Sequence, residues 1–202
     1  MVINTSTKLF GSFSEVPGNN GATFFNEAFS KAGLNAIYLP IKCLETVDAM
    51  SIMNLMNFQG AAFSKPHKVS VIPFLDYIDD VAATIGAVNT VIRDERGWVG
   101  YNTDWVGVCE VLRGMNLQHL YIYGQGGFSR AVQYACDKLS IEFTVLNRQD
   151  VIPTTGVVFN ATPVNLSHPN ILDARPSTPF GFKIFQEQAK AQYWLYTGTT
   201  YE

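Results

Sequence analysis

Leu120–Leu139 reads LYIYGQGGFSRAVQYACDKL. Four apolar or aromatic residues run into a cluster of glycines, and an amphipathic stretch follows. A β-strand that turns sharply into a helix is the expectation. Gly124, Gly126 and Gly127 sit where G-x-G-x-x-G denotes dinucleotide binding. The first glycine permits the tight turn, and the second lets a pyrophosphate approach the backbone. The helix N-terminus then offers unpaired N–H groups. The third position is Ser129, so the match is partial. The bland alternative is a plain strand-to-helix turn.

Outward from this turn the chain alternates short apolar strands with amphipathic helices, which predicts an α/β protein. KLFGSF begins the series as a strand, and NNGATFFNEAFSKAG follows as a helix. Phe24, Phe25, Ala28, Phe29 and Ala32 recur at three- and four-residue steps, with Gly33 as the stop. NAIYLPI and QGAAFS are further strands. Between them lies a helix whose stripe is read as Val47, Met50, Leu55 and Met56. AVNTVIRDERGWVGYNTD predicts two strands joined by a turn at Asp94–Gly97. A helix begins near Asp104. EFTVLNR and GVVFNATP are strands, residues 166–178 read as loop, and GFKIFQEQAKAQYWLY closes the chain as a helix.

Composition narrows the function classes. At 202 residues, 47% hydrophobic and 15% charged, the chain is long enough and apolar enough to fold. A net charge of −3 without a basic run argues against nucleic acid and anionic membranes. No signal peptide or membrane span is expected. Cys43, Cys109 and Cys136 are isolated, and His67, His119 and His168 lack ligand spacing. A cytoplasmic protein without a metal is the expectation.

Other residues suggest chemistry. Ser12 and Ser14, two apart on a strand end, point the same way and suit a carboxylate or polyol. Lys68 in AFSKPHKV could shuttle a proton, with Lys65 as a competitor. Asp104 in YNTDWVG is either a helix cap or a catalytic carboxylate. After the second strand of the glycine unit stand Asn147 and Arg148, where an NAD site usually has an acid. Arginine there suits a 2′-phosphate, which favours NADP, and the nearby Asp150 leaves NAD open.

Taken in order, these pieces resemble the shikimate dehydrogenase family, and within it the shikimate dehydrogenase-like branch. SFSEVPGNNG resembles the N-terminal Ser-x-Ser segment, and AFSKPHK the lysine motif. GAVNT and YNTD match two Asn-Thr signatures, and GQGGFSRA resembles the phosphate turn. FNATP resembles the strand beside the nicotinamide. The resemblance implies an N-terminal α/β substrate domain, 1–103, joined by a C-terminal helix, 180–202. It implies a truncated Rossmann-like nucleotide-binding domain over 104–179. Little sequence separates VLNRQ from VVFNATP, where the family has a helix and a strand.

The implied activity is NADP-linked oxidation of a ring hydroxyl on shikimate, quinate or a similar acid. Lys68 and Asp104 would be the catalytic pair. Ser12, Ser14, Ser64, Asn89, Asn102 and Gln188 would bind substrate. Gly124, Gln125, Gly126, Gly127 and Phe128 would bind cofactor, with Asn147, Arg148, Asn160, Ala161 and Thr162. A shortened sheet leaves an open edge, so a homodimer is expected. The alternative is a non-catalytic binding or assembly protein with an eroded cofactor site.

Overall fold

The computed structural model describes residues 3–201. The chain divides into two compact units. One comprises the residues up to Thr84, Val88–Asn102 and those from Gln192. The other comprises Ile85–Ala87 and Thr103–Ala191.

The first unit is built on a six-stranded mixed sheet. Its strands are β1 (Lys8–Ser14), β2 (Ala36–Lys42), β3 (Phe58–Phe63), β4 (Tyr77–Ile78), β5 (Thr90–Asp94) and β6 (Gly97–Tyr101). Their order is β2-β1-β3-β5-β6-β4. Helices α1 (Asn20–Lys31) and α2 (Thr46–Leu55) make the crossovers that let β1, β2 and β3 run parallel. Helix α1 buries Phe25, Ala28 and Phe29, the expected stripe, and Gly33 ends it at φ +64°. Ala32 lies just past the last helical residue and is exposed.

The buried stripe of α2 differs from the expected one. Val47, Leu55 and Met56 are exposed, and Thr46, Ala49, Met50 and Met53 face the core. The buried set follows i, i+3, i+4, i+7, with a threonine and an alanine where larger apolar residues were sought. Between β3 and β5 lie α3 (His67–Ser70), a 3₁₀ turn (Ile72–Phe74) and α4 (Asp80–Ile85). Strands β5 and β6 form the expected hairpin, with Asp94 opposite Gly97. A Cβ on Gly97 (φ +99°) would stand 2.2 Å from the Asp76 carboxylate, which accepts from Trp98 N–H. Glycine is therefore required at that corner.

The second unit carries an all-parallel sheet of four strands, β7 (His119–Tyr123), β8 (Glu142–Leu146), β9 (Val158–Asn160) and β10 (Ile171–Asp173), ordered β10-β9-β7-β8. Helices α5 (Asp104–Leu112) and α6 (Gly127–Leu139) pack with it. Val108, Leu112, Leu120, Ile122, Val132, Ala135 and Phe159 form its core. Strand β10 corrects the expectation of loop over 166–178. Three residues are too few to display an alternating pattern. The long helix α7 (Pro179–Thr197) contributes to the second unit up to Ala191 and to the first from Gln192.

Candidate active site

In the first unit the backbone gathers six of the expected site residues at one end of the sheet. Ser12 and Ser14 close β1, and Ser14 is buried. The segment after β3 lies along the end of β1. Ser64 N–H donates to Phe13 carbonyl at 3.0 Å, and Glu15 N–H donates to Lys65 carbonyl at 3.2 Å. Ser64 is exposed there. Lys68 is half-buried on α3, and its carbonyl accepts from Val88 N–H at 2.8 Å. Asn89 bridges two strands through its backbone, donating to Tyr101 carbonyl (3.0 Å) and accepting from Phe63 N–H (2.8 Å). Its buried side chain accepts from the Thr90 hydroxyl at 2.8 Å. Asn102 follows Tyr101 and is buried. Parallel β1 and β3, antiparallel β5 and their neighbour β6 bring these residues to the same end. The result is hydroxyls, amides and one ammonium, a set suited to a small hydroxylated anion.

In the second unit the turns after β7, β8 and β9 converge at the carboxyl ends of parallel strands, where open α/β sheets bind ligands. Gly124 (φ +126°) lies close to Thr162, and Ala161 N–H donates to Tyr123 carbonyl. A Cβ on Gly126 would meet nothing within 4 Å, so the backbone there is open. Gly126 is the N-cap of α6, and among the described residues no side chain caps that helix start. An open backbone at a helix N-terminus fits a pyrophosphate. Ser129, in the third glycine position, is fully buried and donates to Gly124 carbonyl at 2.6 Å. Arg130 donates to Gly86 carbonyl at 3.0 Å.

Beyond β8, Asn147 N–H donates to the Asp150 carboxylate at 2.8 Å, and Gln149 N–H donates to the Asn147 amide oxygen. Asp150 is thereby engaged in its own turn, and Arg148 is exposed. Beyond β9, the fully buried Asn160 donates to Val164 carbonyl and to Asp173. It accepts from Thr162 N–H and Oγ1.

Asp104 is the first residue of α5, and the N-cap is Thr103, so Asp104 is not the cap. Its carboxylate is buried and lies at the positive end of the helix. The Thr103 hydroxyl donates to Gln188 Oε1 at 3.1 Å, tying α5 to α7. Their approach is close. A Cβ on Gly107 would stand 2.5 Å from Ile184 carbonyl. Thr103, Arg130 and His67 carry no signal of a role in the sequence alone. The G-x-G-x-x-S spacing was the available signal for Ser129.

A polar end on the mixed sheet of one unit and a glycine turn into a helix on the parallel sheet of the other define an α/β protein whose second unit is Rossmann-like. Residues 20–91 match the family described as "Shikimate dehydrogenase substrate binding domain". The chain is 31% identical over 205 residues to the shikimate dehydrogenase (NADP(+)) of Microcystis aeruginosa, covering 82% of this chain and 71% of that one. It is 34% identical over 134 residues to a shikimate dehydrogenase-like protein of Haemophilus influenzae, covering 65% and 49%. The crystal structure of shikimate dehydrogenase from Aquifex aeolicus superposes with a TM-score of 0.85 at 25% identity, covering 98% of this chain and 96% of that chain. The chain belongs to the shikimate dehydrogenase family. It spans only 44% of the length of one further relative of that name.

Proposed function

We propose that the chain is an NADP-linked oxidoreductase acting on the ring hydroxyl of shikimate, or of quinate or a similar cyclic hydroxy acid. The observation that carries the reading is the pairing of two features in one chain. One is the polar sheet end holding Ser12, Ser14, Lys68 and Asn89, and the other is the open, uncapped glycine seat at Gly126.

In this reading Ser12 and Ser14 donate hydroxyl hydrogen bonds to the substrate carboxylate. Asn89, Asn102, Ser64 and Gln188 hold the ring hydroxyls. Lys68 Nζ takes the proton of the reacting hydroxyl, and Asp104 orients it. NADP, when bound, supplies the hydride acceptor. Gly124, Gln125, Gly126, Gly127 and Phe128 hold its pyrophosphate, and Asn147 and Arg148 hold its adenosine end. Asn160, Ala161 and Thr162 line the nicotinamide end. In the reverse direction Lys68 returns the proton to the developing alkoxide. Three free thiols suit a reducing cytoplasm, and a second copy of the chain would cover the edge strands β8 and β10.

Titration with NADPH, followed by tryptophan fluorescence, tests the cofactor seat. Turnover of shikimate with NADP tests the chemistry. Lys68→Ala should abolish turnover and leave NADPH affinity nearly intact. No binding of either nicotinamide cofactor at millimolar concentration would favour the non-catalytic alternative.

A further inference from the structure

The lysine motif contains a histidine to which the proposed chemistry gives no role. His67 is fully buried, immediately before Lys68. Its Nε2 lies 2.9 Å from Cys43 carbonyl, and its Nδ1 lies 2.9 Å from Thr46 Oγ1. A carbonyl only accepts, so Nε2 carries a proton towards it, and Nδ1 pairs with the Thr46 hydroxyl. The Thr46 oxygen is in turn hydrogen-bonded to Ser70 Oγ. The edge of one ring faces the other where His67 packs against Phe63.

This chain of bonds spans three segments. Cys43 N–H donates to Ser14 carbonyl at 2.9 Å, so the connector after β2 is fixed to the end of β1. Thr46 opens α2, and Ser70 closes α3. Helix α3 has only four residues and cannot hold its own shape in water. The imidazole clamps it to the connector, and Val88 N–H holds the Lys68 carbonyl as well.

We infer that His67 is a positioning residue: its ring fixes the spacing between the Ser14 end of β1 and the Lys68 backbone. It thereby sets the distance from the carboxylate anchor to the proton acceptor. The inference rests on the proposed role of Lys68. A phenylalanine could fill the same volume, but it would lose both bonds and leave the Cys43 carbonyl and the Thr46 hydroxyl without the ring. A glutamine can still donate to the Cys43 carbonyl.

Steady-state shikimate oxidation with NADP, on the full chain, tests this. His67→Phe should lower kcat by about 30-fold, since a misplaced reacting group costs on the order of a hundredfold per ångström. NADP affinity should be unchanged. His67→Gln should recover most of that loss, and Thr46→Val should fall between the two. A folded His67→Phe, judged by a retained melting transition, with wild-type kcat overturns the inference. If His67→Phe does not fold, wild-type kcat in Thr46→Val overturns it instead. Lys68→Ala separates the two ideas. Undiminished turnover in Lys68→Ala removes the lysine reading and the positioning role together. An inactive Lys68→Ala beside a fully active His67→Phe removes the positioning role alone.

Discussion

Ser129 Oγ donates to the carbonyl of Gly124 across the phosphate-type turn, at 2.6 Å. The serine closes the turn with a side chain at the position where the dinucleotide fingerprint has its third glycine. Its hydroxyl is buried, so Ser129→Ala removes the donor and leaves the Gly124 carbonyl short of a partner. The expected loss of stability is about 1–3 kcal/mol. Urea unfolding measures it, and an unchanged midpoint would show that the bond contributes nothing.

Arg148 is exposed just past β8, and Asp150 spends its carboxylate on Asn147 N–H. The acid in that turn is therefore engaged by the backbone, and under the proposed function the exposed arginine would pair with a 2′-phosphate. Arg148→Ala should weaken NADP(H) binding by about 10- to 100-fold, the value of a charge-assisted bidentate contact. NAD(H) binding should change little. Equal weakening of both cofactors would mean that Arg148 does not read the phosphate.

The turn LYIYGQGGFSRA was legible because strand, glycines and helix are contiguous, and each constrains its neighbour. The hairpin at Asp94–Gly97 was legible for the same reason. The stripe of α2 was not. Its buried face uses Thr46 and Ala49, and a count of large apolar residues selects Val47 and Leu55 on the wet side. Strand β10 was missed because its three residues are defined by pairing with β9, a relation absent from local sequence. The site showed the same division. Lys68 and Asn89 stood out as motif residues. The His67–Thr46–Ser70 chain joins positions whose proximity depends on how α2 and α3 pack.

The three thiols make a direct test of the two cores. Cys43, Cys109 and Cys136 are all buried and unpaired. Burial raises each thiol, and Cys136 is pushed up to about 12, with the neighbouring Asp137 adding to the effect. Thiolate is the reactive form, so the folded protein should resist alkylation at pH 8. Iodoacetamide labelling followed by mass spectrometry should find little modification in the native protein and three modified cysteines in denaturant. Rapid native labelling of Cys136 would contradict its full burial on α6 in the core of the second unit.

Asp173 supplies a pH dependence whose sign can be worked out. Burial pushes its carboxyl up, but hydrogen bonds and charge from Arg175, with a bond from Asn160, outweigh that and hold it below the usual carboxylate range. A carboxyl depressed in the folded state contributes stability above its unfolded pKa, about 4. That contribution fades as pH falls through the unfolded value and is gone below the folded one. Melting temperature measured from pH 7 down to pH 3 should therefore drop more steeply in the wild type than in Asp173→Asn, with the difference concentrated below about pH 4. Asp173→Asn should also be less stable at pH 7, because the Arg175 guanidinium loses its ionic partner at the end of β10, beside Asn160 of β9. Parallel melting curves for the two proteins across that range would show that ionisation of Asp173 is not linked to folding.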